Sequence, residues 1–319
     1  MKTKLTLLSA ALIALGASNV AIAADSNFAI NADIELDTNV VTTANTDNAY
    51  SQGGRVAVNV TGEHQMGDHF IRGKGSVLAL KSGGTAVDDA WVQFGTSGWD
   101  IQAGRWEAVN LFPLGKDTVV VEAGGVSSYQ ANKTRGRIGD DRGQLALHVN
   151  SDAASFELAT IWGDNADNET AFSGIRPSVT FGAGNFTITA GADIVSTDDA
   201  AGNTVEDFSG FAVTAGFNAG GAAINLNVAT GSDDLTDTDI TSFGANAIMG
   251  GFGIGLIQTS IDNGGAADPS LTQIYAAYTQ SLFNIDRASI TYALATASAD
   301  DAGADDSATA GRVRINYSF

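Results

Sequence analysis

From residue 28 onward, apolar and polar side chains alternate with a period of two. Phe28, Ile30, Ala32, Ile34 and Leu36 fall on one side of the first segment, and Asn31, Asp33, Glu35, Asp37 and Asn39 on the other. The last segment repeats the arrangement, with Val313, Ile315, Tyr317 and Phe319 set against Arg312, Arg314, Asn316 and Ser318. Phe186/Ile188/Ala190, Ile224/Leu226/Val228 and Ile290/Tyr292/Leu294 do the same between polar neighbours. This period marks strands with one apolar and one polar face.

The breaks between segments carry a second pattern. Tight ones fall near 64–68, 96–99, 150–154, 182–185, 218–221, 250–252 and 281–286. Longer, acidic or Gly-rich ones alternate with them near 43–50, 80–88, 163–170, 196–207, 231–239, 262–270 and 298–308. One outsized connection is expected from about 107 to 134. The stretch 133–150, interrupted by Gly136, Gly139 and Gly143, reads as one long strand with bulges or as two short strands. The segments between breaks number sixteen.

An even number of strands, short turns at one end and long loops at the other is the layout of an outer-membrane barrel. Lipid cannot satisfy an unpaired sheet edge, so such a sheet must close. The expected fold is therefore all-β, a transmembrane antiparallel β-barrel of about 16 strands. A soluble β-sandwich or solenoid is the alternative, but its polar faces would be less polar and its turn lengths less regular.

Residues 1–23 are set apart as a secretory signal. Lys2 and Lys4 precede the apolar run Leu5–Gly16, and Ala21-Ile22-Ala23 forms an A-x-A cleavage site. The run is shorter than the ~20 residues of a spanning helix. The barrel domain is then 24–319. No later stretch reaches ~18 consecutive apolar residues, which excludes a helical membrane protein.

The 16 basic and 36 acidic residues give a net charge of −20, and there is no cysteine. Without its signal the chain keeps 14 basic residues and a charge of −22. Disulfide frameworks and thiolate metal sites are excluded. So is binding of nucleic acid by phosphate neutralisation. The positive charges are unevenly placed: none lies between Arg176 and Arg287.

Two stretches carry a family resemblance. The terminal RVRINYSF, with Ile315, Tyr317 and Phe319 on one face, resembles the last strand by which Gram-negative outer-membrane proteins are recognised by the barrel assembly machinery. Residues 101–125, IQAGRWEAVNLFPLGKDTVVVEAGG, resemble the fifth strand and third loop of trimeric bacterial porins. Gly104-Arg105 matches the strand end, and Phe112-Pro113-Leu114-Gly115-Lys116-Asp117 the loop tip. Lys116 stands where the family has a neutral or acidic residue. The resemblance is to general porins or to a carbohydrate-selective relative. It implies a long third loop folded into the lumen, a homotrimer, and a place in the outer membrane of a Gram-negative bacterium among lipid and lipopolysaccharide.

Closing the barrel brings Arg312 and Arg314 beside Arg55, Arg72 and Lys74, and alternation turns these side chains inward. A charge facing lipid near mid-depth would cost ~2–4 kcal/mol. This basic strip, with Arg105, is expected to face Glu107, Asp117 and Glu122 of the loop across the channel, forming a constriction whose charges tune selectivity. Asp33, Glu35 and Asp37 also point inward, so salt bridges at the seam are a competing account of Arg312 and Arg314.

Trp91 falls on the inward face with Asp89 and Gln93. With Trp106 at the loop root it could stack on a sugar ring, or both could pack the loop against the wall. The acidic loops, such as Asp233/Asp234/Asp237/Asp239, would concentrate cations at the mouth and could hold divalent ions loosely, but none has the roughly 12-residue EF-hand spacing. No hydrolase, metalloprotease or P-loop motif appears. His64 and His69 flank a tight turn, and His148 stands alone. The sequence thus points to a porin without catalytic residues, metal or cofactor, passing small hydrophilic solutes and favouring cations. A carbohydrate-selective channel, a structural or adhesive barrel, and an outer-membrane hydrolase are the alternatives.

Overall fold

The computed structural model describes residues 26–139, 142–165, 170–265 and 267–319. The expected signal, residues 1–23, and part of the acidic loop near 163–170 lie outside them. Sixteen strands form one closed antiparallel sheet in which every strand pairs with its neighbours in sequence and β1 pairs with β16. They are β1 (Ser26–Thr43), β2 (Ala49–Met66), β3 (His69–Leu80), β4 (Thr85–Thr96), β5 (Trp99–Arg105), β6 (Gly143–Asn150), β7 (Ala154–Asn165) and β8 (Thr170–Ala183). The second half comprises β9 (Phe186–Asp198), β10 (Thr204–Ala219), β11 (Ala222–Asp233), β12 (Thr238–Met249), β13 (Phe252–Asp262), β14 (Ser270–Ser281), β15 (Ala288–Asp300) and β16 (Ser307–Ser318).

The two faces separate as the alternation predicts. Phe28, Ile30, Leu226, Phe243, Ile254 and Leu294 are about half exposed on the outside, where the surrounding medium must be hydrocarbon. Their sequence neighbours Asn227, Ser242, Ala293 and Ala295 are buried on the inside. Closure at the end of the chain is a reciprocal pair: Ala32 N–H donates to Phe319 O at 2.8 Å and Phe319 N–H to Ala32 O at 2.9 Å. Tyr317 and Phe319 stack at 5.6 Å between ring centroids on the outer surface, beside Ile315.

The long connection differs from the expected one. It runs from 106 to 142, and among the described residues of the stretch 133–150 only Gly143–Asn150 is strand. The carbonyls of Thr134, Gly136 and Ile138 accept hydrogen bonds from arginine side chains, so the chain there has no strand partner. β5 and β6 have 7 and 8 residues and form a low stretch of wall from which the connection departs. At the exit Gly104 adopts φ 121°, a conformation open to glycine, and a Cβ there would clash with the Ala90 carbonyl oxygen.

A β-bulge changes the predicted parity of β4. The β3–β4 register shifts between Gly75 and Val77, so Ser76 faces both Asp88 and Asp89. Strict alternation would send one of these carboxylates outward. Both instead reach Arg137 of the connection, at 3.2 Å and 2.7 Å.

At the loop end, Asp305 ties three segments together. Its carboxylate accepts from Thr43 Oγ1 at 2.8 Å and Asn45 N–H at 2.7 Å, and its carbonyl accepts from Gly124 N–H at 2.7 Å. The hydrogen bonds from Thr43 and then Asn45 hold the carboxyl below its ordinary value of 3.8. A lowered pKa means that this clasp stabilises the fold above the ordinary value and is lost as pH falls through the lowered one. Amide exchange at Asn45, corrected for intrinsic rate, should therefore quicken on acidification below about pH 4. In Asp305→Ala it should already be fast and show no such step; a step retained in the variant would remove Asp305 as its origin.

Candidate pore constriction

Most of the connection packs against wall residues of β8–β12 and β14–β16. Leu111 and Phe112 are buried against Ala212 and Ala229, and Val121, Ala123 and Val126 against Leu271, Tyr275 and the alanines of β15 and β16. Polar side chains of the wall bind its main chain. Thr214 Oγ1 donates to Leu111 O at 2.8 Å, and Asn227 and Asn246 both donate to Pro113 O at 3.0 and 2.6 Å. Gln273 donates to Val121 O at 2.7 Å.

Two buried arginines anchor the returning limb. Arg135 donates to the carbonyls of Val109, Pro177 and Ala192, at 3.1, 2.8 and 2.8 Å. Arg176, 0% exposed, donates to Thr134 O at 2.6 Å and Gly136 O at 3.0 Å. Tyr129 donates its hydroxyl to Asp193, whose other oxygen accepts from Lys133 N–H at 2.9 Å. Burial, and then the charge of Asp193, push the Tyr129 hydroxyl up from its ordinary value, so it remains a donor.

Glycines at inward positions make the seat close-fitting. A Cβ at Gly244 would lie 2.6 Å from the Phe112 ring, at Gly191 2.8 Å from both Arg135 and Leu111, and at Gly253 3.1 Å from Lys116. Neither these glycines nor Arg135 and Arg176 stand out as site residues in the sequence. The available signal was glycine recurring on the polar parity of consecutive strands.

The expected constriction residues fall into distinct groups. Arg314 pairs with Asp37 at 2.6 Å, Glu35 at 3.2 Å and Asp117 at 2.7 Å, so the seam acids and the loop acid meet on one guanidinium. Arg312 lies 3.8 Å from Asp117 and also donates to Thr118 O. Arg55 stands loosely by Glu35 at 3.9 Å, and Lys74 binds Asp89 at 2.6 Å. Glu107 bonds to Arg137 at 3.1 Å, a residue outside the expected set. Arg72 donates to Gln93 at 2.7 Å. Glu122 is exposed and forms no ion pair among the described residues. Arg105 is not brought to these acids: its hydrogen bonds go to the main-chain carbonyls of Asp88 and Ile138.

Trp106 is buried with Ala146 and Ala159, under the Arg176 guanidinium at 5.3 Å, and Trp91 packs half-buried against this group. His148 does not stand alone, as the sequence suggested. It lies between Asp100 at 2.5 Å and Glu157 at 3.1 Å, which β5 and β7 bring beside it in register. Among the described residues no group of three or more His, Cys, Asp or Glu side chains is placed to hold a metal ion.

A closed sixteen-stranded barrel, apolar outside and lined by paired charges inside, defines an outer-membrane porin of a Gram-negative bacterium. The family model described as porin-like glycoporin RafY matches residues 16–319, and the chain belongs to that family. Among solved structures it is similar to an anion-selective porin from Comamonas acidovorans, with 17% identity over 92% of this chain and 100% of that one and a TM-score of 0.69. It is also similar to the in-vitro folded trimer form of OmpT, an outer membrane protein of Vibrio cholerae, with 14% identity over 92% and 99% and a TM-score of 0.68. A mutant porin of Rh. blastica follows, with 14% identity over 92% and 100% and a TM-score of 0.59. At these identities the likeness establishes the fold. No curated protein matches the sequence. Family and fold are those of a channel rather than an enzyme.

Proposed function

We propose that small hydrophilic solutes diffuse passively through a water-filled opening between the 106–142 connection and the inner faces of β1–β3. The connection folds into the lumen and narrows it. The supporting observation is the uneven seat: its main chain and side chains are held by β4–β6, β8–β12, β14 and β16, while β2 and β3 give it no hydrogen bond among the described residues. The opening is thereby left to Asn31, Asn59, Ser76 and the ion-paired strip.

The charges of that strip are close to balanced. Arg55, Lys74, Arg137, Arg312 and Arg314 each have a carboxylate within 4.0 Å. Opposed, hydrated pairs orient a dipolar solute without repelling either sign strongly. Cation preference then arises chiefly at the mouth, where Asp198, Asp199, Asp233, Asp234, Asp300 and Asp301 cluster at the loop end and raise local cation concentration. This favours ions only mildly and leaves neutral solutes unhindered. Together with the glycoporin description of the family, it supports a carbohydrate-accepting channel as the narrower reading. Export by residues 1–23, a homotrimer in lipid and lipopolysaccharide, and recognition of Ile315, Tyr317 and Phe319 by the assembly machinery belong to the same reading.

Planar-bilayer recording of the refolded protein tests it. Ohmic current, a cation-biased reversal potential that collapses toward zero at molar salt, and saturable reduction of the current by a neutral trisaccharide are expected. A reversal potential biased to anions would overturn the role of the acidic mouth. Absence of current would overturn the channel.

A further inference from the structure

We infer that Trp91, Arg72 and Glu63, with Asn27, form a saccharide subsite on the inner wall toward the tight-turn end of the barrel. The inference rests on the carbohydrate reading above and assigns it a place. These side chains share the inward parity with Thr61 and line a recess of about 340 Å3, floored by the main chain at Gly62 and Gly73. That volume lies at the lower end of the roughly 300–1,000 Å3 of small-molecule sites and suits one or two sugar rings.

The two tryptophans divide the work. Trp106 is 5% exposed and fixed between Ala146, Ala159 and Arg176, so it cannot meet a solute. It backs Trp91, which keeps part of its surface open to the recess. A pyranose ring has a face of C–H groups, and an electron-rich indole held rigid from behind is suited to receive it. Around that platform stand groups that read hydroxyls. Glu63 lies opposite both Arg72 and Asn27 in register and forms no ion pair among the described residues, so its carboxylate is available to accept from vicinal hydroxyls. Arg72 is aimed by its bond to Gln93 and lies over the Phe70 ring at 5.0 Å, with its remaining N–H donors uncommitted among the described residues. Asn27 is exposed and offers both a donor and an acceptor. A mixed set of this kind, with an unpaired carboxylate, an uncommitted guanidinium and an aromatic face, fits a neutral polyhydroxylated solute better than a simple ion.

The test uses the full barrel in planar bilayers with raffinose and maltotriose as probes. The native channel should be blocked saturably by at least one of them. In Trp91→Ala the half-blocking concentration should rise about tenfold, with Trp91→Phe recovering most of the loss. Glu63→Gln should raise it severalfold. Trp99→Phe, on the outer surface, should leave it unchanged. Block of the native channel that is equally strong in Trp91→Ala and Glu63→Gln would overturn the subsite while leaving the carbohydrate reading intact. No block of the native channel by either sugar would overturn both.

Discussion

Replacing Gly244 with valine is expected to unseat the first limb of the long connection and raise single-channel conductance. Gly244 lies on the inner face of β12, and even a single Cβ would come within 2.6 Å of the Phe112 ring and 3.1 Å of Asn227 Nδ2. Valine adds two further methyl groups where Phe112 is already 1% exposed. Overpacking of this kind costs ~1–3 kcal/mol, and the softer partner yields. The wall is hydrogen-bonded through β11 and β13 along its whole length, whereas the limb is held by a few side-chain bonds to Leu111 O and Pro113 O. The limb should therefore move. Conductance should rise and become noisy, with trisaccharides passing faster in vesicle-swelling assays. The barrel itself should still fold and resist detergent. Phe112→Ala in the same background should relieve the clash and quieten the channel. A folded Gly244→Val barrel with native conductance and noise would show that the connection does not limit the opening.

The alternation that exposes this architecture to inspection is a consequence of the solvent on either side. A wall between hydrocarbon and water imposes one constraint on every second residue, so Phe28 through Leu36 and Val313 through Phe319 declare their faces without any knowledge of tertiary contacts. The turns are equally legible, because alternate connections lie at opposite ends. What alternation cannot see is the long connection packed against the wall. Gly191, Gly244 and Gly253 look like weak points of their strands until Leu111, Phe112 and Lys116 are laid over them. Arg176 looks like one more inward cation, yet it is spent on carbonyls from residues 134 and 136. Arg105 does not reach the expected acids for a related reason: at a strand end, next to a departing loop, main-chain carbonyls are left unpaired and its guanidinium binds them. The bulge at Asp88 and Asp89 breaks the parity rule itself, and nothing local in the sequence marks it. His148 is isolated along the chain because its partners, Asp100 and Glu157, come from neighbouring strands whose register is set by the whole sheet.

The other large effect is expected at Arg314. Its guanidinium, on the strand that closes the barrel, neutralises Asp37 and Glu35 of β1 and reaches Asp117 of the connection. In Arg314→Ala three carboxylates are left with Arg312, 3.8 Å from Asp117, and the loosely placed Arg55, 3.9 Å from Glu35. Removing one partner from a fully buried pair costs ~3–5 kcal/mol, and this site, open to lumen water, should lose less, about 1–3 kcal/mol. The electrical consequence should exceed the structural one. A cluster that was nearly neutral gains one net negative charge, and if solutes pass it as proposed the reversal potential should move further toward that of cations. The loop tip also loses its tie to β16. Two variants separate these effects. Asp117→Asn keeps a hydrogen-bonding group at the tip while removing one negative charge, and it should move the reversal potential the opposite way. Arg314→Lys keeps the charge but cannot reproduce the forked contact with Asp37, so selectivity should stay near native while thermal stability falls. If Arg314→Ala and Asp117→Asn both leave the reversal potential where it was, ions do not pass this cluster, and the opening must lie elsewhere in the lumen.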